Sequence, residues 1–329
     1  MAEFHTISSA LILGVSGQDG WYLSRLLAEE NVRVVGASRA AITSLSDSED
    51  SPGIAEHHPG DLRDRAFLLG VIEQSQPDVI VNFAGFTHVG ASWAQREESW
   101  LANVGIVQGL VDALATIYGP PAQWPFVYHA SSSEVFGRSA ETPQSEDTDF
   151  APITPYGEHK AEAHQLLRQA RAEGAPLGIG IAYNHESPRR PERFVTRKIS
   201  LGVARIARGI ANSLQLGSLD AARDWSYAGD YAQAVRAILG ARAAEDFVIA
   251  SGESRTVRDF VSLALASAGL AERWDLISVD EALVRPNDPA VLVGDSSRIR
   301  RELGWAPRVG FEQLVDRMVA SDIALLAER

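Results

Sequence analysis

Short apolar runs alternate with longer helical patterns through the first half of the chain, and this alternation limits the possible folds more than any other feature. Strands that alternate with helices assemble into a parallel sheet with helices on both faces. We therefore predict an α/β fold built on a doubly wound parallel sheet. The predicted strands are 10–13, 32–37, 78–83, 126–130 and 177–183, and the predicted helices are 21–29, 66–74, 103–118 and 156–172.

The rhythm changes after about Asn184, where loops and shorter elements accompany a predicted helix at 195–208. We predict a smaller C-terminal lobe in this half. The first unit is expected to span residues 1–183 and the lobe residues 184–329, with segments near 211–250 returning to the main sheet. Residues 44–53 are polar and acidic, which is typical of a surface loop.

The bulk composition excludes several classes of protein. A formal net charge of −13 argues against nucleic acid or an anionic membrane as a partner. The chain has no cysteine, which excludes disulfides, thiolate nucleophiles and zinc–thiolate sites, and we expect no metal site. No apolar run approaches the roughly 18 residues of a membrane span, and residues 1–9 lack the pattern of a signal peptide. We therefore expect a cytoplasmic protein.

A glycine-rich segment follows the first predicted strand and opens the first predicted helix. Its glycines are Gly14, Gly17 and Gly20. Glycine lets the backbone turn tightly and approach a diphosphate, which then lies at the positive end of the helix. The spacing GxxGxxG alone also fits an ordinary glycine-rich turn. The strand before it and the helix after it favour a dinucleotide site.

The end of the second predicted strand indicates which dinucleotide binds. An NAD enzyme usually places an acid there for the ribose hydroxyls, whereas this chain has Ser38 and Arg39. Because arginine pairs well with a 2′-phosphate, NADP is favoured. The alternative is that Arg39 is a solvated surface residue. Asp61, followed by Leu62, comes just after a further strand candidate between those at 32–37 and 78–83, where an acid can meet the adenine amino group.

Two motifs carry candidate catalytic groups. The sequence SSSE at 131–134 follows a predicted strand, and if the chain stays extended, the side chains of Ser132 and Glu134 point the same way. Tyr156 and Lys160 are four residues apart and share one face of a helix. This spacing suits a tyrosine base, because a nearby ammonium and an oxidised nicotinamide favour phenolate and lower a pKa that is normally about 10.

Glu134 is the most informative of these residues. A plain alcohol dehydrogenase of this type needs only the serine, the tyrosine and the lysine. A carboxyl group beside them indicates an additional proton transfer at carbon. The alternative is that Glu134 caps a helix or forms a salt bridge.

A dense basic segment stands out in this acidic chain, offset locally only by Glu186 and Glu192. Guanidinium and ammonium groups suit phosphates, so we interpret the segment as a site for the phosphates of a cofactor or substrate. A solvated face is the alternative, and an isolated histidine is more often structural. The segment contains His185, Arg189, Arg190, Arg193, Arg197 and Lys198.

Taken together, these motifs resemble the GDP-mannose 4,6-dehydratase family over nearly the whole chain. The later motifs are far more specific than the nucleotide fold alone. The resemblance implies a Rossmann domain that holds NADP and a smaller C-terminal lobe that binds a GDP-sugar. The matching stretches are GVSGQDGWYL at 14–23, GDLRD at 60–64, THVGASW at 87–93, SSSEVFG at 131–137, ETPQSE at 141–146, NHESPRR at 184–190, FVTRKI at 194–199, LGSLDAARDW at 216–225, DFVIASGE at 246–253 and LGW at 303–305.

The resemblance also implies roles for individual residues. Ser132 stands where the family has its catalytic threonine or serine, and Glu134, Tyr156 and Lys160 match the other catalytic residues. The implied cofactor-binding residues are Gly14, Gly17, Gln18, Asp19, Gly20, Arg39, Asp61, Leu62, Ala84, Thr87, Tyr156, Lys160, His185 and Arg190. The implied substrate-binding residues are Ser92, Asn184, Val195, Lys198, Arg223 and Arg285.

The chain departs from the family pattern at several positions. The family's AAQSHV is AGFTHV at 84–89, and its Tyr-Ala-Ala-Ala-Lys is YGEHK at 156–160. A family tyrosine that contacts the cofactor corresponds to Trp100, and the paired arginines after the second strand are Arg39 and Ala40 here. The catalytic residues survive these changes, whereas the choice of sugar and the assembly stay open.

The implied reaction is a dehydration with internal hydride transfer through bound NADP. A dehydratase for another sugar, such as a GDP-heptose, shares every motif cited. A sugar-nucleotide reductase or epimerase shares the fold and cofactor but does not require Glu134. A non-catalytic NADP-sensing protein is expected to lose Tyr156 or Lys160, and both are present.

We expect a homodimer, with a homotetramer as the alternative. Enzymes of this fold commonly pair through two helices, here about 102–118 and 155–172. The loop after the second strand helps to build a tetramer in the resembling family. Here it has lost one of two arginines and has gained acids that repel one another. The interface candidates are Ala161, Ala163, Leu166, Leu167 and Ala170, and the loop acids are Asp47, Glu49 and Asp50.

Overall fold

Strands and helices follow one another along residues 5–40, 42, 53–283 and 292–327, the part of the chain that the computed structural model describes. The strands are β1 (Ser9–Leu13), β2 (Arg33–Ser38), β3 (Glu56–Pro59), β4 (Val79–Asn82), β5 (Phe126–Ser132), β6 (Leu177–Ala182), β7 (Asn184–Glu186), β8 (Leu214–Leu216), β9 (Ala222–Tyr227), β10 (Asp246–Ile249), β11 (Ser254–Thr256) and β12 (Ile277–Val279). The α-helices are α1 (Gln18–Glu29), α2 (Arg65–Ser75), α3 (Arg96–Trp100), α4 (Ile106–Tyr118), α5 (Pro155–Ala172), α6 (Val195–Ala207), α7 (Ala228–Ala241), α8 (Val257–Ser267), α9 (Ser297–Leu303) and α10 (Phe311–Ala327).

Seven of these strands form one sheet in the order β10-β6-β5-β4-β1-β2-β3. Every neighbouring pair in it is parallel. From β3 to β6 the order is that of a Rossmann fold, 3-2-1-4-5-6. The direction of winding reverses between β1 and β4, so a crevice opens at the carboxyl ends of these two strands. The predicted doubly wound parallel sheet is confirmed.

Apolar side chains cover both faces of the sheet. One face, with Ile12 of β1, packs against α1 and α7 through residues such as Leu23 and Val235. The other face, with Leu11, packs against α2, α4 and α5 through residues such as Leu68. Successive strand residues point to opposite faces. Burial on both faces explains why the strands read as continuous apolar runs.

The C-terminal lobe has its own apolar core between α6, α8 and α10. Two small sheets, β11-β9-β7 and β12-β8, belong to this region. Of the segment 211–250, α7 and β10 lie with the main sheet, whereas β8 and β9 lie in the small sheets. β7 begins at Asn184, directly after β6 ends at Ala182. The three-stranded sheet therefore starts at the carboxyl edge of the main sheet.

The helical run from Arg96 to Tyr118 is long and apolar enough to span a membrane by length and composition alone. It consists of α3, a π-helical turn at Leu101–Gly105 and α4. It connects β4 to the parallel strand β5, and Val104 and Val107 are fully buried in the core of the sheet. Such a crossover helix packs on its own sheet, and this packing accounts for its apolar composition.

Some predicted features fall outside the described residues. Of the predicted surface loop at 44–53, only Gly53 is described, so Asp47, Glu49 and Asp50 receive no structural account. The same holds for Arg285.

Candidate active site

The start of α5 carries Tyr156 and Lys160 into the crevice. Thr154 caps the helix by accepting a hydrogen bond from the Gly157 amide at 3.0 Å. The Tyr156 amide donates to the Ser92 hydroxyl at 3.2 Å, and Ser92 is fully buried. These two bonds fix the first turn of the helix. Ser92, which the resemblance implied as a substrate ligand, is placed by the structure as a support for Tyr156.

Ser132 ends β5, and a 3-10 turn at Ser133–Val135 follows it. The chain does not stay extended from Ser132 to Glu134, because it turns at Ser133–Val135, where the Ser132 hydroxyl accepts a hydrogen bond from the Glu134 amide at 3.3 Å. Both side chains nevertheless line the same cavity as Tyr156, and the hydroxyls of Ser132 and Tyr156 are hydrogen-bonded. A Cβ on Gly157 would lie 2.5 Å from the Glu134 carbonyl oxygen, so this glycine lets α5 approach the turn.

Burial dominates the electrostatics of the tyrosine–lysine pair. It raises the pKa of Tyr156 to about 12, although the hydrogen bond with Ser132 and the charge of Arg190 act in the opposite direction. Burial also lowers the pKa of Lys160 to about 8, and the ammonium donates to the Ala130 carbonyl oxygen at 2.5 Å. The protein by itself therefore holds Tyr156 as a neutral phenol. The lowering predicted for Tyr156 beside both Lys160 and an oxidised nicotinamide stays a prediction for the complex with the cofactor.

The glycine-rich turn leaves room for the close approach of a diphosphate. Gly14 has a φ of +86°, and a Cβ on it would lie 2.8 Å from the Ala84 amide nitrogen. A Cβ on Gly20 would lie 2.5 Å from the backbone of Val15, so the turn packs directly against α1. Gly17 is the N-cap of this 12-residue helix and provides no side-chain cap. Amides at the positive end of a helix suit a phosphate, so the turn fits a dinucleotide cofactor.

Asp19 and His185 join this turn to the C-terminal half of the chain. The imidazole of His185 donates from Nδ1 to the Tyr183 carbonyl oxygen at 2.8 Å and from Nε2 to the Asp19 carboxylate at 3.0 Å. Burial by itself lowers the pKa of His185, but the charge and hydrogen bond of Asp19 raise it overall. Gln18 donates to the His185 carbonyl oxygen at 2.9 Å. The ring is stacked on Tyr231 at a centroid distance of 4.1 Å. Because both of its nitrogens face acceptors, its surroundings favour the protonated form.

The residues predicted to contact the adenosine part of a cofactor lie after β2 and β3. Leu62 is buried in the core. The Arg39 side chain is 68% exposed, and its guanidinium lies 3.9 Å from Glu98. Asp61 accepts a hydrogen bond from Arg63, Nε to Oδ2 at 2.9 Å, and this bond lowers the pKa of Asp61. The sequence patterns did not identify Arg63 and Glu98 as part of this region. Glu98 lies on α3, far from Arg63 in sequence, so no local pattern shows that the two side chains pair.

The basic segment divides into side chains that reach the cavity and side chains that do not. Arg190 pairs with Glu186 at 3.1 Å and lies over the Phe194 ring at 3.7 Å. Arg197 instead pairs with the fully buried Asp322 of α10 at 2.5 Å. The interpretation of the whole segment as a phosphate site therefore fails for Arg197, which fastens α6 to α10.

A cavity of about 330 Å³ is lined by residues of the main sheet, of α5 and of the C-terminal lobe. It brings most of the predicted catalytic and substrate residues together. The predicted residues that line it are Asp19, Thr87, Ser132, Glu134, Tyr156, Lys160, Asn184, His185, Arg190, Val195, Lys198 and Arg223. Its lining does not include Gly14, Gly17, Gln18, Gly20, Arg39, Asp61, Leu62, Ala84 or Ser92.

Two aromatic residues near the cavity differ from expectation. Tyr231 of α7 lines the cavity and is hydrogen-bonded to Tyr128 at 3.0 Å, and no motif in the sequence identified it. Trp100, at the position of the family's cofactor-contacting tyrosine, donates from its indole nitrogen to Glu162 at 3.1 Å and is absent from the lining. Within the described residues, no group of three or more histidine, cysteine, aspartate or glutamate side chains is placed to hold a metal ion.

The parallel sheet, the glycine-rich turn and the buried tyrosine–lysine pair beside a serine and a glutamate define an extended short-chain dehydrogenase/reductase. Comparison with known proteins makes this class more specific. The family model described as GDP-mannose 4,6 dehydratase matches residues 11–318. The chain belongs to the GDP-mannose 4,6-dehydratase family, as its motifs predicted.

Individual relatives agree with this assignment. GDP-mannose 4,6 dehydratase 1 of Arabidopsis thaliana is 36% identical over 330 residues, which cover 96% of this chain and 90% of the relative. GDP-mannose 4,6 dehydratase of Homo sapiens is 36% identical over 350 residues, which cover 96% and 92%. Among solved structures, RMD from Pseudomonas aeruginosa complexed with NADPH has a TM-score of 0.80 at 22% identity, covering 96% of this chain and 99% of that one. dTDP-glucose 4,6-dehydratase from Bacillus anthracis in complex with NAD has a TM-score of 0.79 at 20% identity, covering 95% and 96%.

Proposed function

We propose that this chain is a GDP-mannose 4,6-dehydratase, an NADP-dependent hydro-lyase that converts GDP-mannose to GDP-4-keto-6-deoxymannose. The observation that carries the proposal is that Glu134 lines the same cavity as Ser132, Tyr156 and Lys160. Interconversion of an alcohol and a ketone needs only the last three groups. Elimination of water also needs a group, here a carboxyl group, that removes a proton from carbon and gives it to the departing oxygen.

The glycine-rich turn and the residues after β2 and β3 would hold the cofactor. The turn is proposed to contact the diphosphate, Arg39 the 2′-phosphate and Asp61 the adenine. When bound, NADP supplies the acceptor and donor of a hydride and a cationic ring that favours the phenolate of Tyr156. Lys160 keeps its ammonium within the same cavity, where it adds to that effect.

The protein's own groups move the protons of the reaction. Tyr156, held by Ser132, removes the proton of the sugar 4-hydroxyl while C4 is oxidised. The resulting 4-ketone acidifies the C5 hydrogen, and Glu134 takes this proton and gives it to the 6-hydroxyl, which leaves as water. Once C6 has been reduced, Tyr156 returns its proton to C5. Every proton removed is returned, so the reaction consumes neither acid nor cofactor.

The GDP part of the substrate is proposed to bind the lobe side of the cavity. Lys198 of α6 and Arg223 of β9 line this side, and charge-assisted contacts from such groups suit a diphosphate. Asn184 and Val195 line the cavity as well. The family resemblance adds Arg285. This arrangement supports the proposed division into a cofactor-binding unit at 1–183 and a mainly sugar-nucleotide-binding lobe at 184–329.

The substitution Glu134→Gln tests the reaction. We expect the variant to retain its fold and its affinity for NADP, while the loss of water from GDP-mannose slows by about 10²-fold or more. Mass spectrometry of a panel of nucleotide sugars, incubated without a hydride donor, measures this loss. Glu158→Gln is the matched control, because Glu158 is an exposed residue of α5, the helix that carries Tyr156 and Lys160, and it pairs with Arg96.

Two results would contradict the proposal. Near-normal turnover by Glu134→Gln would remove this carboxyl group from the mechanism. Turnover of another nucleotide sugar, with GDP-mannose left intact, would assign the chain to a dehydratase of that other sugar.

The assembly and the cellular location stay predictions. Of the candidate interface residues on α5, only Leu166 is partly exposed, while Ala161, Ala163, Leu167 and Ala170 are buried inside the chain itself. They pack the monomer and give no support to subunit contact. We retain the homodimer as the proposed unit, and the particle mass measured by light scattering tests it. A cytoplasmic location is likewise proposed from the sequence.

A further inference from the structure

Four charged side chains form one ion-pair cluster at the edge of the crevice, and the proton transfers proposed above use none of them. Arg63 donates from Nη1 to Oε2 of Glu98 at 2.6 Å and from Nε to Oδ2 of Asp61 at 2.9 Å. Nη1 of Arg39 lies 3.9 Å from Oε1, the other carboxylate oxygen of Glu98. Glu98 therefore bridges two guanidinium groups that come from different loops.

The cluster lies where the ribose of a dinucleotide is expected. Arg39 follows β2 and Asp61 follows β3, the two strands at the end of the sheet beyond β1. In a Rossmann fold, the residue after the second strand lies beside the 2′ position of the ribose. Arg63 is brought to the same place because its guanidinium and that of Arg39 converge on Glu98.

The charges of the cluster are balanced, and its ion pairs are exchangeable. Two guanidinium groups face two carboxylates, so the cluster carries no net charge. The side chains of Arg63 and Glu98 are 31% and 40% exposed, and that of Arg39 is 68% exposed. Ion pairs at this exposure contribute roughly 0–1 kcal/mol, so a stronger anion can replace a carboxylate. A phosphate group is such an anion, because guanidinium groups bind it with two parallel hydrogen bonds.

We propose that Arg63 is a second cation for the 2′-phosphate of NADP, and that Glu98 holds Arg39 and Arg63 in place until the phosphate displaces it. This inference rests on the proposed use of NADP. NAD has a neutral hydroxyl at the same position and cannot compete with the carboxylate. Only a ligand with a 2′-phosphate gains by separating Glu98 from the arginines, so the two arginines make the site selective and Glu98 competes with the phosphate for them.

Arg63 also has a structural role, since it clamps Asp61, the proposed adenine contact. The two roles predict different results for the two cofactors. Loss of a phosphate contact weakens the binding of NADP alone. Loss of the hydrogen bonds from Arg63 to Asp61 weakens the binding of NADP and NAD equally, because both carry adenine.

Calorimetric titration of the full chain with NADP and with NAD separates these roles. We expect Arg63→Ala to weaken the affinity for NADP by about tenfold or more, as for the loss of a charge-assisted hydrogen bond. The affinity for NAD should change by less than about twofold. We expect Glu98→Gln to strengthen NADP by about two- to fivefold and to leave NAD unchanged. Arg65→Ala is the matched control, because Arg65 is an exposed arginine that pairs with Asp112 outside the cluster.

Equal weakening of both cofactors by Arg63→Ala would reduce Arg63 to a support for Asp61 and overturn the proposal. An unchanged or weaker affinity for NADP in Glu98→Gln would overturn the role of the carboxylate. Equal affinities for NADP and NAD in the unmodified protein would instead overturn the proposed cofactor. The dehydratase proposal fails separately, if the unmodified protein releases no water from GDP-mannose.

Discussion

Two ion-pair clusters of this protein have similar composition and opposite surroundings. In the first, Asp246 of β10 is 5% exposed and accepts hydrogen bonds from His164 at 3.0 Å and from Arg171 at 2.7 Å, and it also pairs with Arg168. The second is the exposed cluster around Glu98. The carboxylate of the first cluster is buried, although the side chains of Arg168 and Arg171 are 39% and 20% exposed. The carboxylate of the second cluster, Glu98, is 40% exposed and lies open to a ligand.

The buried cluster lies next to the candidate catalytic groups along the chain. His164 is one helical turn after Lys160 and two turns after Tyr156, on the same face of α5. Its Nδ1 is 3.0 Å from the hydroxyl of Ser131, which precedes Ser132 on β5. The cluster therefore ties α5, β5 and β10 together behind the active site. The buried carboxylate thus holds α5, which carries Tyr156 and Lys160, against the sheet, while exposed charges of the same kind remain available for exchange.

Removal of Asp246 should have the largest effect on stability. Asp246→Ala leaves the buried ends of His164 and two arginines without their carboxylate, so we expect a loss of about 3 kcal/mol in the free energy of unfolding. Urea denaturation measures it. Asp112→Ala is the control, because Asp112 is 57% exposed and pairs with Arg65, and its loss should cost less than about 1 kcal/mol. Equal losses of unfolding free energy in the two variants would show that the buried pair stabilises the protein no more than the exposed pair does.

The Asp19–His185 pair should give an intermediate, pH-dependent effect. Burial opposes the charge on His185, but Asp19 raises the pKa of the imidazole above its usual value of about 6.5. This stabilisation is fully present below about pH 6.5 and is lost as the pH rises through the pKa of the folded state. The free energy of unfolding, measured from pH 6 upward, should fall as the pH rises. The substitution Asp19→Asn should abolish this pH-dependent fall. If NMR of His185 finds a pKa below 6.5 in the unmodified protein, this reading of the pair is wrong.

The smallest effect on stability is expected in the exposed cluster. Glu98→Gln should change the free energy of unfolding by less than about 1 kcal/mol, although it shifts the affinity for NADP. Urea denaturation and cofactor titration of the same preparation test both statements. A loss comparable to that of Asp246→Ala would show that Glu98 supports the fold and is not an exchangeable partner of the arginines.

Local patterns predicted much of the fold and part of the site. The strands and helices of the first half, the glycine-rich turn and the Tyr156–Lys160 spacing depend on residues close in sequence, and all were found where expected. The placement of Glu134 beside Tyr156 was also expected, although the chain turns after Ser132 instead of staying extended. Such features depend on backbone periodicity, which a sequence expresses directly.

Other features depended on contacts between distant parts of the chain. Arg197 belongs to the same basic segment as Arg190, yet it pairs with Asp322, which lies 125 residues later. The pairing of His164 with Asp246 and the bridge from Glu98 to Arg63 are likewise invisible in a local pattern.

The order of strands and helices in the first half, the family and the candidate catalytic residues follow from patterns that the sequence expresses locally. Which charges are buried, which arginines face the cavity and how far burial raises the pKa of Tyr156 depend instead on the packing of distant parts of the chain. The physical reason is that periodicity and glycine placement act over a few residues. Ion pairing and desolvation depend on what lies around a group in space, and the packing of the sheet against its helices and the lobe sets those surroundings.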